Sequence, residues 1–228
     1  MCKPGHNWIN DLKIDTVVDV GASIGEFSAA VRQWRPEAFI YAFEPLPDEF
    51  NKLSERFKHD KNFREYNIAL SDKTGSINFN RFNFSPASSE LKMTSLLTRF
   101  IDKEYSMKTE SDQITVLVDR LDSVLMPALM GKSLLVKIDV QGTEDKVIWG
   151  GQEIIRAAKL CFIETEFQPL YEGQALFFDI LVQMKALGFT YFGDKEQIWY
   201  HQTNGTPLWQ DSIFINNKLL TNGIYEAL

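Results

Sequence analysis

The stretch Thr16–Gly25, with the sequence Thr-Val-Val-Asp-Val-Gly-Ala-Ser-Ile-Gly, constrains the fold more than any other part of the chain. Four of the five residues before Gly21 are β-branched, which is typical of a strand buried on both faces. Gly21 and Gly25 bracket a tight loop, and the residues beyond it are apolar at helical spacing. A strand, a glycine loop and a helix in this order predict the opening unit of a nucleotide-binding α/β fold.

The spacing of the glycines favours a ligand without a pyrophosphate group. Dinucleotide sites use G-x-G-x-x-G, whereas this loop has three residues, including Ala22 and Ser23, between its two glycines. S-adenosylmethionine (SAM) is such a ligand, since its carboxylate can lie near the positive N-terminus of the helix. Asp19 is the one charge in the strand, and a buried carboxylate is costly unless something pairs with it. A tight turn that binds no ligand is the alternative interpretation.

A second strand, Phe39–Phe43, ends in the acidic residue Glu44, followed by Pro45. Glu44 follows Gly21 by 23 positions, close to the spacing of about 20 for an acid that binds ribose hydroxyls. The next strand is predicted over 63–70, and its end from Asn67 to Leu70 is expected at the same sheet edge, beside the adenine ring. A solvated glutamate and a plain core strand are the alternatives.

Composition limits the kind of protein. The 228 residues predict one domain, and the net charge of −7 argues against a protein that binds nucleic acid. Only two cysteines are present, so a disulfide framework and a zinc cluster are not expected. No stretch resembles a secretory leader or a membrane span, and we therefore expect a soluble cytoplasmic protein.

Strands alternate with helices along the chain, which predicts a mostly parallel sheet covered by helices on both faces. Residues 1–15 are predicted to form an N-terminal cap with a short helix that includes Trp8, Ile9 and Leu12. Residues 76–113 interrupt the pattern after the third strand, and we expect a β-hairpin followed by a long polar lid over the substrate site. Disorder of this insertion is the alternative. A further strand is predicted over 114–118.

Charged residues at two later strand ends are the candidates for catalysis. Lys137 and Asp139 lie two apart in an apolar strand, hence on one face, and Glu164 lies near the end of the next strand. Opposite charges there are costly as pure structure, so an active-site edge is favoured over a structural ion pair. All three histidines, His6, His59 and His201, are expected at the surface rather than as a general base. His201, beside Trp199 and Tyr200, is the one that could reach the pocket.

The chain resembles the FkbM family of SAM-dependent methyltransferases over nearly all of its length. The family commonly has Glu where this chain has Gln141, a departure that affects any catalytic or metal role of that position. The matching landmarks are Val18–Ala22 with Gly25, Ala42–Pro45, Ala69–Asp72, Leu121–Asp122, Lys137–Gly142 with Glu144, Gly150–Gly151, Glu164, Gly188–Phe189 and Asp211–Phe214.

This resemblance implies a Rossmann-like class I methyltransferase fold, with a seven-stranded, mostly parallel sheet whose last strand is antiparallel. It implies O-methylation of a hydroxyl on a sugar, a glycolipid or a polyketide-type or peptide-type metabolite. The cofactor-binding residues that it implies are Asp19, Gly21, Ala22, Ser23 and Gly25 for the methionine part, Glu44 and Pro45 for the ribose, Asn67 and Ala69 for the adenine, and Asp139.

Three residues are our catalytic candidates. Asp139 could orient the acceptor hydroxyl, accept its proton or bind a divalent metal; Lys137 could hydrogen-bond the nucleophile or act as a neutral base; Glu164 could share a metal with Asp139 or bind the acceptor. Two other functions stay open: a nicotinamide-dependent oxidoreductase, suggested by the spacing of Tyr191 and Lys195, and a non-catalytic SAM-binding module. The sequence predicts neither the acceptor nor the oligomeric state.

Overall fold

A computed structural model describes residues 12–129, 131–199 and 205–221. Seven strands form the main sheet, in the spatial order β3-β2-β1-β7-β8-β10-β9. With strands numbered in chain order, they are β1 (Thr16–Val20), β2 (Phe39–Phe43), β3 (Phe63–Tyr66), β7 (Leu134–Ile138), β8 (Leu160–Glu166), β9 (Phe189–Trp199) and β10 (Pro207–Asn216).

Strand direction confirms the predicted class I topology. β1 pairs in parallel with β2 on one side and with β7 on the other, and β3 and β8 extend the parallel sheet outward. Only the last strand, β10, runs antiparallel to its neighbours β8 and β9. Because the chain leaves β1 in one direction and returns on its other side as β7, the strand order reverses beside β1, which is where open α/β sheets bind ligands.

Helices cover both faces of the sheet, as predicted. In β1, Val17 belongs to one buried cluster and Val18 to another, so successive side chains fill cores on opposite faces. Both are fully buried, and each such burial is worth about 1.5–3 kcal/mol. The helices are α1 (Glu26–Trp34), α2 (Pro47–Phe57), α3 (Ser95–Tyr105), α4 (Leu121–Leu129), α5 (Glu144–Gly150), α6 (Gln152–Ala157), α7 (Phe177–Ala186) and α8 (Asn217–Thr221).

A second, three-stranded sheet was not expected. It consists of β4 (Ala69–Leu70), β5 (Gly75–Phe82) and β6 (Ser111–Asp119), in the order β4-β6-β5. The strand predicted over 63–70 is therefore two strands in two sheets, and the strand predicted over 114–118 lies in the smaller sheet. The break falls at Asn67, whose side-chain amide donates to the backbone oxygens of Glu44 and Pro45.

The insertion has a different form from the local hairpin expected after the third strand. β5 pairs antiparallel with β6, and residues 83–110 emerge from the end of that pair, where Phe82 lies opposite Ser111. This segment contains a short 3₁₀ turn, Ser85–Ala87, and α3, which includes the helix predicted over 96–101. Isolated bridges join Asn80 to Ser89 and Met93 to Tyr171, so the segment contacts the main body on two sides.

Several predictions fall outside the described residues. These are the N-terminal cap up to residue 11, with His6, Trp8 and Ile9, as well as Tyr200, His201 and the side chain of Trp199. Leu12 and Ile14 are described, and they pack in the buried cluster of α1. Among the helices within the described ranges, none combines the length and the apolar character that crossing a bilayer requires.

Candidate active site

The carboxyl ends of β1, β2, β7 and β8 border a cavity of about 270 Å³. The smaller sheet and the insertion supply much of the remaining wall, and α2, the loop after β8 and β10 also contribute to it. Among the predicted site residues, those that line it are Gly21, Ser23, Glu44, Pro45, Ala69, Asp139 and Glu164. The structure places Asp19, Ala22, Gly25, Asn67 and Lys137 outside the lining.

Gly21 is required by the close approach of two strand ends. Its φ is +73°, and an added Cβ would lie 1.8 Å from the backbone oxygen of Asp139. Its N–H and that of Ala22 both donate to the Phe43 oxygen, at 3.0 and 2.9 Å. The glycine therefore lets the loop after β1 pack directly on the ends of β2 and β7.

A buried ion pair lies behind this loop. Asp19 accepts a hydrogen bond from the Ser28 hydroxyl at 2.6 Å, and its other oxygen is 3.6 Å from Lys137 Nζ. Lys137 also donates to the Gly21 oxygen at 2.8 Å and lies 3.2 Å from Asp139 Oδ2. Burial lowers the pKa of Lys137, but the carboxylates of Asp139 and Asp19 outweigh it and the net pKa is raised. The ammonium therefore stays charged, which favours a hydrogen-bonding role over that of a neutral base.

Glu44 lies at the end of β2, 5% exposed, with its carboxylate directed at the glycine loop. One oxygen accepts the N–H of Ser23 and the other the N–H of Leu46, both at 2.8 Å. Burial raises the pKa of Glu44 to about 7, against the lowering effect of these two donors. Each oxygen keeps a lone pair, so the group can still accept bonds from two adjacent hydroxyls.

Asn67 does not line the cavity, and its side chain instead bonds the backbone at the end of β2. Its bonds to the oxygens of Glu44 and Pro45, at 2.9 and 3.1 Å, hold the chain after β3 against the end of β2. The residues that follow, Ile68 and Ala69, line the cavity instead.

Gln141 connects the catalytic candidates. Its side-chain nitrogen donates to Asp139 Oδ1 at 2.8 Å and to Glu164 Oε2 at 2.6 Å. Its side-chain oxygen accepts the Tyr171 hydroxyl at 2.8 Å, and its backbone oxygen accepts the Ser89 hydroxyl at 2.6 Å. Its φ of +64° is rare for a residue with a side chain, which indicates local strain held by these bonds.

The two bridged carboxyls have opposite tendencies to ionise. Burial acts to raise the pKa of Asp139, but the Lys137 ammonium and then the Gln141 amide outweigh it, and the net pKa is lowered. Burial, followed by the charge of Asp139, raises the pKa of Glu164 well above its usual range. Neighbouring carboxyls whose pKa values are pushed apart are typical of acid–base sites.

The acidic group that could hold a metal differs from the predicted pair of Asp139 and Glu164. Oxygens of Glu144, Glu164 and Glu166 lie within 4.8 Å of one another, and Asp139 is not among them. Both oxygens of Glu144 already accept backbone N–H bonds from Val140 and Gly142. Burial raises the pKa of Glu144 to about 7 and those of Glu164 and Glu166 well above their usual range. Glu144 is thus already held by backbone donors, and we assign no step to a metal at this group.

Sequence reasoning gave no role to Tyr171, Ser89 and Glu144, and it left that of Gln141 undecided. Tyr171 and Ser89 are 30 and 52 positions from Gln141, and no local pattern marks such contacts. Glu144 had a signal, because it follows the strand end of Asp139 at the start of α5. The oxidoreductase alternative finds no support: Tyr191 and Lys195 both lie on β9, not on a helix.

Residues 19–191 match the family model of the methyltransferase FkbM domain. The chain belongs to the FkbM methyltransferase family. This match spans more than half of the chain and confirms the resemblance to that family.

Two curated proteins are similar in sequence to the chain. The 2-O-methyltransferase NoeI of Sinorhizobium fredii is 29% identical over 160 residues, which cover 69% of this chain and 66% of NoeI. The chain thus aligns with slightly less than two thirds of that relative. The 31-O-demethyl-FK506 methyltransferase FkbM of Streptomyces tacrolimicus is 24% identical over 205 residues, 81% of this chain and 76% of the relative.

Solved structures with similar folds include SAM-dependent enzymes. Magnesium protoporphyrin IX methyltransferase from Synechocystis, with bound SAM, has a TM-score of 0.46 at 12% identity and covers 92% of this chain and 74% of its own. A TehB-like SAM-dependent methyltransferase from Corynebacterium glutamicum has a TM-score of 0.44 at 10% identity, over 93% and 90% of the two chains.

Proposed function

We propose that this FkbM-family chain transfers the sulfonium methyl group of SAM to a hydroxyl group of a small molecule or glycan. One observation carries the proposal: a ribose-type carboxylate, Glu44, and the bridged pair of Asp139 and Glu164 line the same cavity. The names of both relatives describe O-methyltransferases, which supports oxygen as the acceptor atom.

The cofactor would lie along the edge of β1 and β2. Glu44 would accept the ribose hydroxyls, with Pro45 beside the ribose and Ala69 beside the adenine. Gly21 and Ser23 would face the methionine part near the N-terminus of α1. Asp19 and Lys137 would act from behind the loop, by holding its backbone in place.

The chemistry is a displacement at carbon. The bond between sulfur and the methyl carbon breaks as the bond from the acceptor oxygen forms, and sulfur keeps the electron pair as a neutral thioether. The acceptor hydroxyl loses its proton, and our candidate to take it is Asp139, which lines the cavity and which Lys137 keeps charged. The Gln141 bridge holds Asp139 in one orientation while this happens.

Two features of composition support the remaining predictions. The net charge of −7 supports the absence of a nucleic-acid partner, and the two cysteines support a reducing, cytoplasmic location. Both stay predictions.

Glu44→Ala tests the cofactor site. We expect at least about a tenfold weaker SAM affinity by calorimetry, because the ribose loses its acceptor. In the wild type, affinity should rise as the pH passes upward through about 7, since the raised pKa of Glu44 leaves the carboxyl protonated below that value. Glu55→Ala, at an exposed position of α2, is the matched control. Unchanged affinity in Glu44→Ala would remove the cofactor assignment.

Asp139→Asn tests the proton acceptor. Transfer of a tritiated methyl group from SAM should fall about a hundredfold or more, because the amide cannot take the proton. SAM affinity is measured on the same variant, and a loss of methyl transfer much larger than the loss of affinity distinguishes a proton acceptor from a cofactor contact of Asp139. Asp102→Asn, at an exposed position of α3, should keep full activity. Full activity in Asp139→Asn would assign the proton to another group.

A further inference from the structure

One part of the cavity is lined by apolar side chains that are not among the residues proposed to bind the cofactor. It comprises Phe84, Leu97, Phe100, Tyr105, Leu170 and Trp209. The first four belong to the insertion between β5 and β6, and the other two come from the loop after β8 and from β10. We call this set the apolar wall.

The apolar wall stands on the acceptor side of the cavity. Trp209 pairs with Glu166 across β10 and β8, whereas the ribose-type carboxylate Glu44 directly follows β2, which lies beyond β1 and β7 in the sheet. Ser89 of the insertion donates to the Gln141 oxygen, which places this segment beside Asp139 and Glu164. A molecule whose hydroxyl lies at Asp139 would therefore extend onto the apolar wall.

The wall is held together by its own contacts. The rings of Phe100 and Trp209 meet edge to face at 5.3 Å, and those of Phe84 and Tyr105 lie 4.7 Å apart. The backbone N–H of Thr94, just before α3, donates to the Leu170 oxygen at 2.8 Å. These contacts join the insertion to the main sheet at the cavity.

Apart from Tyr105, the ionisable side chains described along the cavity are all carboxyls. Its lining contains five carboxyl side chains and, among the residues described, no Lys, Arg or His; the five are Glu44, Glu49, Glu90, Asp139 and Glu164. The cations nearest to Glu90, Lys73 and Lys146, are already paired with it at 3.4 and 3.1 Å. A phosphate or carboxylate on the acceptor would thus find no cation among the described lining residues and would lie beside the charged Asp139.

From these observations we propose that the acceptor is an uncharged alcohol whose hydroxyl lies at Asp139 and whose apolar skeleton packs on the apolar wall. Phosphorylated, nucleotide-linked and carboxylated sugars are excluded as acceptors. The inference rests on the proposed function, because it identifies the reacting end of the cavity with Asp139.

Binding of matched probes tests it. The protein is saturated with S-adenosylhomocysteine, the demethylated product, and titrated with methyl β-D-glucoside, hexyl β-D-glucoside and the 6-phosphate of the hexyl compound. We expect the hexyl glucoside to bind at least about tenfold more tightly than the methyl glucoside, since its added methylenes are removed from water. The phosphate should weaken the hexyl compound by at least about tenfold. Equal or undetectable binding of both glucosides, or tighter binding of the phosphate, overturns the inference.

Variants of the wall locate the effect. Tyr105 is 49% exposed, so Tyr105→Ala removes wall surface with little effect on the core, and it should reduce the hexyl preference by about threefold or more. Phe178→Ala, at a 71% exposed aromatic outside the cavity, is the control and should leave the preference unchanged. Phe84→Lys should strengthen binding of the phosphate by about threefold or more. A preference that survives Tyr105→Ala, or falls equally in the control, contradicts the inference.

The same samples distinguish failure of the proposed function from failure of the acceptor assignment. If S-adenosylhomocysteine and SAM do not bind, the proposed function fails and this inference fails with it. If they bind normally and the hexyl preference is absent, only the apolar acceptor is refuted.

Discussion

At the scale of single residues, Gln141 is the group whose chemistry matters most. A neutral amide donates to two carboxyls at once, which two carboxyls could not do for each other when both are ionised. The bridge stabilises Asp139 as the charged member and leaves Glu164 as the member that holds a proton. The site therefore keeps its geometry by internal hydrogen bonds.

Gln141→Glu should convert this bridge into a cation-dependent one. A third carboxylate between Asp139 and Glu164 repels both, and we expect kcat in a chelator to fall at least about tenfold. Added Mg²⁺ should restore activity by about threefold or more, because clustered carboxylate oxygens are its preferred ligands. The measurement is tritiated methyl transfer with and without the metal.

Gln141→Met is the matched control, since it has a similar length and no hydrogen bonds. It should lose activity without any recovery in Mg²⁺. Full activity of both variants would show that the bridge has no role in positioning Asp139.

The sequence predicted Asp139 and Glu164 as site residues, but not the Gln141 side chain that bridges them. Strand alternation placed Lys137 and Asp139 on one face, and they lie 3.2 Å apart. The tyrosine that bonds Gln141 is Tyr171, which comes from the loop after β8, and its position depends on how that loop packs under the insertion. Such a contact is set by tertiary structure, and no local pattern encodes it.

At the scale of elements, the loop after β1 depends on its close packing against β7. The positive φ of Gly21 and the 1.8 Å approach of an added Cβ to the Asp139 oxygen are separate constraints, and Gly131 shares only the first. Gly131 has a φ of +76° with nothing within 4 Å of an added Cβ. Gly131 is therefore a control for the backbone conformation of Gly21 without its close contact.

Gly21→Ala should lower the free energy of unfolding by about 3 kcal/mol or more and abolish measurable SAM binding, because backbone must move. Gly131→Ala should cost only the left-handed conformation, about 1–2 kcal/mol, and leave SAM binding intact. Urea unfolding and calorimetry on both variants check this. Similar losses in the two variants would mean that the contact with β7 is relaxed at little cost.

The main sheet was predictable because its strands are short apolar runs separated by helical patterns. The smaller sheet was not, since the switch from β3 to β4 depends on two bonds from Asn67 to the end of β2. The β5–β6 pairing joins strands 28 residues apart, with the insertion between Phe82 and Ser111. Local alternation shows each strand but not which partner it chooses.

At the scale of the whole molecule, buried acids set how stability depends on pH. Burial raises the pKa of Glu44 and of Glu144 to about 7 from an ordinary value of 4.5. Between these values the unfolded chain has lost protons that the folded chain keeps, so stability falls as pH rises. Asp139 does not oppose this trend, because its lowered pKa lies below the window.

We therefore expect the free energy of unfolding, without cofactor, to be at least about 1 kcal/mol lower near pH 7 than near pH 5. Urea titrations at the two pH values measure it. Glu144→Gln should flatten the difference, whereas Glu55→Gln, at the surface of α2, should keep it. Stability that rises over this interval would contradict the raised pKa values.

The pairing of Phe82 with Ser111 has a practical consequence. The chain departs and returns at neighbouring positions, so residues 83–110 can be exchanged for the corresponding segment of another FkbM-family protein without altering the strands that frame the glycine loop. Such chimaeras should acquire the acceptor preference of the protein that supplied the segment. They should keep the affinity of this chain for the sulfonium nucleoside. New acceptor specificities could then arise by replacement of this one segment, while the residues that bind the methyl donor stay unchanged.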